Sequence, residues 1–151
     1  MKVRYFISLM FMVVVFIFIC FASGISYYLT FFDLPSALVV IIFPLIFMWI
    51  LHGWKDVRSA FIVLGKKNPD KKDLINAKSF FETYGKTVFS IAIIAFVLSF
   101  IAIMRHLEDA AALAPNIAIA SIVLLYAGII NILIIIPYKI IISKKMLEME
   151  S

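Results

Sequence analysis

Cysteine is nearly absent from this chain, glycine and proline are scarce, and charge is confined to a few short stretches. Cys20 is the one thiol, so no internal disulfide forms, and inside an apolar run it reads as a small hydrophobic filler. Phe18 and Ile19 ahead of it are not the small residues expected before a lipid-modified cysteine. Only 15% of the residues are charged and 65% are apolar, against roughly half apolar in a typical soluble chain. That balance excludes an ordinary soluble domain and describes a small polytopic membrane protein. His52 and His106 fall near helix ends on opposite membrane sides, so they share no ligand set. No metal, phosphate-loop or nucleophile motif is present, and the acidic pairs Glu108–Asp109 and Glu148 with Glu150 read as solubilising or capping charges. Nothing here points to an enzyme, a cofactor or a metal site.

What is there is a series of four long apolar segments making one all-α membrane domain over residues 1–151. The first, about 5–29, follows a basic start and contains Ala22–Ser23–Gly24, which suits a signal peptide. It runs on through Tyr27–Tyr28, however, and reaches spanning length, so it reads as a retained helix. Asp33 ends a tight connection, and Pro35 opens the second helix, about 34–54, where a missing donor costs nothing. Pro44 is expected to kink that helix unless neighbours satisfy the freed carbonyl, and Trp49 and Trp54 mark its far end. The third and fourth helices read as about 87–104 and 115–138, the latter bounded by Pro115 and Pro137.

Between the second and third segments, residues 55–86 form a short basic link with acids interleaved. Lys67–Asn68–Pro69–Asp70 reads as a turn, with Asn68 or Asp70 starting a new helix. Leu74, Ala77, Phe80 and Phe81 then recur at helical spacing, so an amphipathic helix leads into the membrane. These charges read as a face beside lipid headgroups rather than a nucleic-acid patch. Of the 14 Lys and Arg residues, every one except Arg105 lies at the termini or in this central link. The positive-inside rule therefore places both termini and the link in the cytoplasm.

The stretch from Leu113 to Pro137 holds no charge, yet it is not uniformly bulky. Ala114, Ala118, Ser121 and Gly128 fall on one side, Ala120, Ala127 and Asn131 on an adjoining strip, and Ile119, Ile122, Tyr126, Ile129 and Leu133 opposite. Helices in lipid approach closely only through small side chains, so the small face reads as packing or pore-facing and the bulky face as lipid-facing. A matching stripe, Ala92, Ala95, Ser99 and Ala102, runs along the third helix. No helix carries Asp, Glu, Lys or Arg in its interior. A proton-coupled machine needs a titratable group within the membrane, so a partner would have to bring it.

Three pieces of the chain resemble the MotA/TolQ/ExbB proton-channel family, MotA most closely. Phe32–Asp33–Leu34–Pro35–Ser36 and Trp54–Lys55–Asp56–Val57–Arg58–Ser59–Ala60–Phe61 are similar to the start and end of that family's second helix. Met104–Arg105–His106–Leu107–Glu108–Asp109 resembles the end of its third. Leu113-x-Pro115-x-x-Ala118-x-Ala120, then Leu125–Tyr126 and Pro137, resembles its fourth. The resemblance implies a bacterial inner-membrane subunit assembled as a homo-oligomer, a pentamer, around a single-span partner of the MotB/TolR/ExbD type whose membrane aspartate carries the ion. Such a subunit couples proton or sodium flow to movement of the partner. Helices three and four would face the centre with Ala92, Ala95, Ser99, Ala118, Ser121, Gly128 and Asn131. Pro35, Pro115, Tyr126 and Pro137 would be the structural residues of the motif.

There are departures. About thirty residues stand where MotA has a large cytoplasmic domain, so rotor contact of that kind is not expected. Val123 and Leu124 replace threonines of the family's fourth helix, Phe96 stands where its third helix usually has threonine, and Ser90 stands where proline is common. Ser99, Ser121 and Asn131 either substitute for those hydroxyls or make ordinary helix–helix hydrogen bonds. The alternative to a conducting subunit is a membrane scaffold that keeps the fold without the ion path.

Overall fold

A computed structural model describes residues 2–22, 32–66, 69–105 and 110–149, and every element among them is helical. Residues up to Phe32 and residues from Asp33 onward form two separate compact units. The first contains α1, Lys2–Ala22; the remainder of the expected 5–29 segment lies outside the described residues. The second unit contains three helices long and apolar enough to cross a membrane. These are α2 over Leu34–Gly65, α3 over Lys71–Met104, and α4, which runs from Ala110 through Glu148. α2 and α3 outrun their expected boundaries because much of the charged link is itself helical: α2 continues past Trp54, and α3 starts well before Thr87; α4 extends beyond 115–138 at both ends.

The helices widen just ahead of two of their internal prolines, Pro44 and Pro137, while Pro115 sits in α4 with no such turn before it. A π-helical turn over Leu38–Ile42 precedes Pro44, and another over Asn131–Ile135 precedes Pro137. A proline removes one donor and crowds the preceding turn, and a local π turn is one way for a helix to absorb that. Pro44, expected to kink α2, is fully buried after such a turn. The abrupt break comes instead at Gly53, with φ +78° and ψ 157°. That backbone region is open essentially only to glycine. Trp49 and Trp54 meet edge-to-face across the break, with ring centroids 5.8 Å apart.

The core sits at the charged end. Leu74, Ala77, Phe80, Phe81, Tyr84 and Val88 of α3 are buried, and they pack with Val57, Ala60 and Val63 of α2 and with Ile135 and Ile142 of α4. The helical stripe expected at Leu74, Ala77, Phe80 and Phe81 is therefore the buried face. Phe61, Phe81 and Tyr138 close an aromatic junction of the three helices, with Phe81 to Tyr138 at 4.8 Å and Phe61 to Phe81 at 5.2 Å. Where this end meets water, full burial of a side chain such as Leu74 or Phe81 contributes about 1.5–3 kcal/mol. Polar contacts tie the same end together. Lys145 Nζ donates to the carbonyls of Leu64 (3.0 Å) and Lys66 (3.4 Å), capping the last turn of α2 where cations are favoured. Lys66 pairs with Asp73 at 2.6 Å, linking α2 to α3 across the turn. Asp70 occupies the N-cap position of α3, as the turn reading expects; its carbonyl accepts from Leu74 N–H at 3.1 Å.

Past Ala92 the pattern changes. From Ile93 to Ala102 most of α3 is exposed, and so is most of α4 between Ala114 and Ile119. The buried cluster continues through Val40, Met48, Ala92, Val123 and Ala127, but beyond it most of the apolar surface of α3 and of the start of α4 is open.

A polar cavity between three helices

Asp33 is the residue around which the open end is built. It is the N-cap of α2: its side chain accepts from the Ser36 N–H at 2.9 Å, satisfying one of the orphan donors at a helix start. The sequence dictates this locally, since Asp-Leu-Pro-Ser puts a capping acid before a first-turn proline. The Asp33 N–H itself is taken up from afar, donating to the hydroxyl of Tyr126 at 3.0 Å. That bond fixes the start of α2 against the body of α4.

The consequence is one of depth. Tyr126 lies about 20 Å along α4 from Leu113, at 1.5 Å per residue. Asp33 therefore stands alongside apolar stretches of α3 and α4 rather than beyond their ends. There it lines a cavity of about 370 Å³ with Ser36 of α2, Ala95 and Ser99 of α3, and Asn116 and Val123 of α4. A carboxylate, two hydroxyls and an amide thus line one open cleft whose other walls are mostly apolar, with Ser99 and Asn116 exposed on it and the Asp33 carboxylate already capping α2. The arrangement can hold water or a small cation against one negative charge. Among the described residues no three His, Cys, Asp or Glu side chains cluster to hold a metal ion.

The residues expected to form one central face are distributed over several surroundings. Ala95 is half-buried and Ser99 exposed, both on the wall of the Asp33 cavity. Ala118 and Ser121 are exposed on α4, and the Ser121 hydroxyl donates to the Ile117 carbonyl at 2.8 Å. Gly128 is half-buried, with open space where a Cβ would stand. Ala92, by contrast, is fully buried in the core of the chain, and so is taken up by packing within it. Asn131 is half-buried within the π turn, its Nδ2 donating to the Ala127 carbonyl at 2.9 Å. Its Oδ1 faces Gly85 of α3, where an added Cβ would come within 3.0 Å of it. Of the motif residues, Pro35 lies in the first turn of α2 and on the cavity wall. Pro115 sits inside α4, five residues after its start, and Pro137 follows the π turn.

The face of α4 assigned to lipid needs correcting. Ile122 is buried at 7% exposure, and Tyr126 is half-buried and bonded to Asp33. Of the bulky side, Ile122 and Tyr126 turn inward toward α2, where Tyr126 has a polar partner, whereas Ile119 stays exposed at 50% and Ile129 and Leu133 are half-buried; the Ala118–Ser121 side is left open. His52 is exposed and meets Phe80 edge-on at 6.3 Å; His106, Glu108 and Asp109 lie outside the described residues.

Asp33 and Asn116 were the residues that the pattern of the sequence did not single out. The signal for Asp33 was its capping position; nothing local showed that α2 would begin level with the apolar part of α4. No protein-family model and no curated protein matches the chain.

Proposed function

We propose that this protein is an ion-channel or stator-type subunit of a bacterial inner-membrane energy-transducing complex, with both termini and the basic link in the cytoplasm. It would assemble as a homo-oligomer, a pentamer, around a single-span partner of the MotB/TolR/ExbD type that carries a membrane aspartate. Proton or sodium flow would drive movement of that partner. The observation that carries this reading is the convergence of Asp33, Ser36, Ser99 and Asn116 on one cavity within apolar helices. It supplies a negative, hydroxyl-lined station of the chain's own, on the side of the membrane opposite the charged link, from which a cation passes to the partner's carboxylate. The open small surface at Ala118, Ser121 and Gly128 supplies the contact at which close approach is possible.

A second reading, a non-conducting scaffold, draws on the apolar residues that stand where the family has hydroxyls. Val123 is buried on the cavity wall, and Phe96 stacks on Phe100 at 6.1 Å. The test is proton and sodium flux in liposomes holding this protein with the single-span protein that co-purifies from its membrane. Asn caps a helix as well as Asp, so Asp33→Asn leaves the melting temperature unchanged while removing the charge. The conducting reading expects partner-dependent flux that falls at least tenfold in Asp33→Asn. A stable ring with no flux in the parent protein selects the scaffold, and a chain that never assembles or captures a single-span protein overturns both.

A further inference from the structure

A second cavity lies at the opposite, charged end, on the surface between α3 and α4. It measures about 400 Å³, and Lys86 and Lys139 stand at its rim with Glu82. Phe89, Ser90, Ile136 and Asn131 line it too, the first three exposed and Asn131 half-buried. We infer that this cleft is a binding site for one anionic phospholipid, the phosphate held by Lys86 and Lys139 and an acyl chain lying on Phe89 and Ile136.

Charge and depth carry the assignment. Lys86 is the last charge on α3 before its apolar run and Lys139 the first on α4 after its own, so both mark the same membrane interface. The two cations face one carboxylate, and Lys139 Nζ to Glu82 Oε1 is 3.7 Å, longer than a hydrogen bond, which leaves the cleft net positive. Basic pockets between membrane helices at such an interface are the surroundings in which acidic headgroups bind. Ser90 lies about 6 Å deeper than Lys86 along the helix, the level at which a phospholipid's ester groups follow its phosphate. Phe89 and Ile136 are about half exposed, at 50% and 48%, and offer the acyl chain a wall.

The walls are built rather than incidental. Asn131 and Ile135 belong to the π turn, and an added Cβ on Gly85 would come within 3.0 Å of both, so α3 and α4 touch there with no room to spare. Gly85, at that tight contact, lines the same cleft as the two lysines. Such a lipid would bridge α3 and α4 at the end where the core is assembled. Lipid binding of this kind is independent of ion conduction.

Native mass spectrometry of the detergent-purified protein, titrated with phosphatidylglycerol or phosphatidylcholine, tests it. The expected result is one tightly retained phosphatidylglycerol per chain and no comparable retention of phosphatidylcholine. Replacing both lysines (K86Q with K139Q) should weaken phosphatidylglycerol binding on the order of twentyfold, taking about fivefold for each charge near a membrane surface. Replacing Lys55 and Lys72, exposed outside the cleft, should change it less than twofold. Ser90→Trp, which fills the cleft and keeps both lysines, should abolish the tight site while the helical circular-dichroism signal is unchanged. Equal losses from the two lysine pairs, or equal retention of the two lipids, would overturn the assignment in favour of general attraction to a basic surface. Tight phosphatidylglycerol binding that survives Ser90→Trp would also overturn it. So would a Ser90→Trp protein whose subunit number changes while no lipid was retained by the parent, since the cleft would then be an interface between copies.

Discussion

Replacing Gly53 by alanine isolates the backbone geometry on which the shape of α2 depends. At φ +78° and ψ 157° the residue sits where a side chain is rarely tolerated, yet nothing lies within 4 Å of where its Cβ would be. Packing therefore contributes nothing, and the cost is conformational alone, about 1–3 kcal/mol. Relaxing into a continuous helix offers no escape. It would recover up to about 1 kcal/mol of helix propensity, but it would swing Val57, Ala60 and Val63 out of the core against α3. For a chain of this size about 1 kcal/mol corresponds to roughly 2–4 °C in Tm, so Gly53→Ala should melt about 3–10 °C lower in detergent. The chain's two tryptophans provide a local readout, because Trp49 and Trp54 meet at 5.8 Å across the break. In an unbroken helix, positions five apart point about 140° away from each other. A shift in tryptophan fluorescence should therefore accompany any straightening. Gly65→Ala, with no crowding and no positive φ, is the control and should change Tm little. An alanine at position 53 that melts like the parent protein, with unaltered fluorescence, would refute the left-handed break.

Three further substitutions probe the open end and the helix contact. Tyr126→Phe deletes the acceptor of the Asp33 N–H and should destabilise the chain by about 1–2 kcal/mol. Amide hydrogen exchange at the start of α2 should quicken while the charged end is unaffected; unchanged exchange would mean that the hydroxyl is not what holds Asp33 in place. Gly85→Ala and Gly128→Ala should have opposite consequences. The first presses within 3.0 Å of Asn131 and Ile135 and should lower stability by about 1–2 kcal/mol, once overpacking is offset by helix propensity. The second meets open space within the chain, so it should leave melting of the single chain unchanged or raised while weakening the proposed assembly, read by subunit number in native mass spectra. Equal melting of the two variants would place the α3–α4 contact elsewhere.

The charged link was the most legible part of the chain. Leu74, Ala77, Phe80 and Phe81 announced their buried face through spacing, and Asp70, one of the two starts the turn offered, begins α3. Water is the alternative environment there, so the sequence must separate apolar from charged positions, and the separation can be read. The π turn ahead of Pro137, the extension of α2 beyond Trp54 and the break at Gly53 were less visible. A proline announces that a helix must adapt without specifying how, and a glycine permits a left-handed residue without requiring one.

Residue chemistry alone determined that the chain is helical, that long uncharged stretches alternate with short basic ones, and that small residues mark possible contact surfaces on α3 and α4. Only the tertiary structure decided which of those surfaces the chain uses. It turned Ile122 and Tyr126 inward, closed Ala92 into the core and left Ala118 and Ser121 uncovered. It also set Asp33 beside the apolar part of α4, where a capping acid becomes the charge of a cavity. The reason lies in the solvent: lipid is as apolar as a neighbouring helix, so an isoleucine gains little by preferring one over the other. Which face packs is then settled by shape and by a few polar bonds, and neither is written in the periodicity of a single helix.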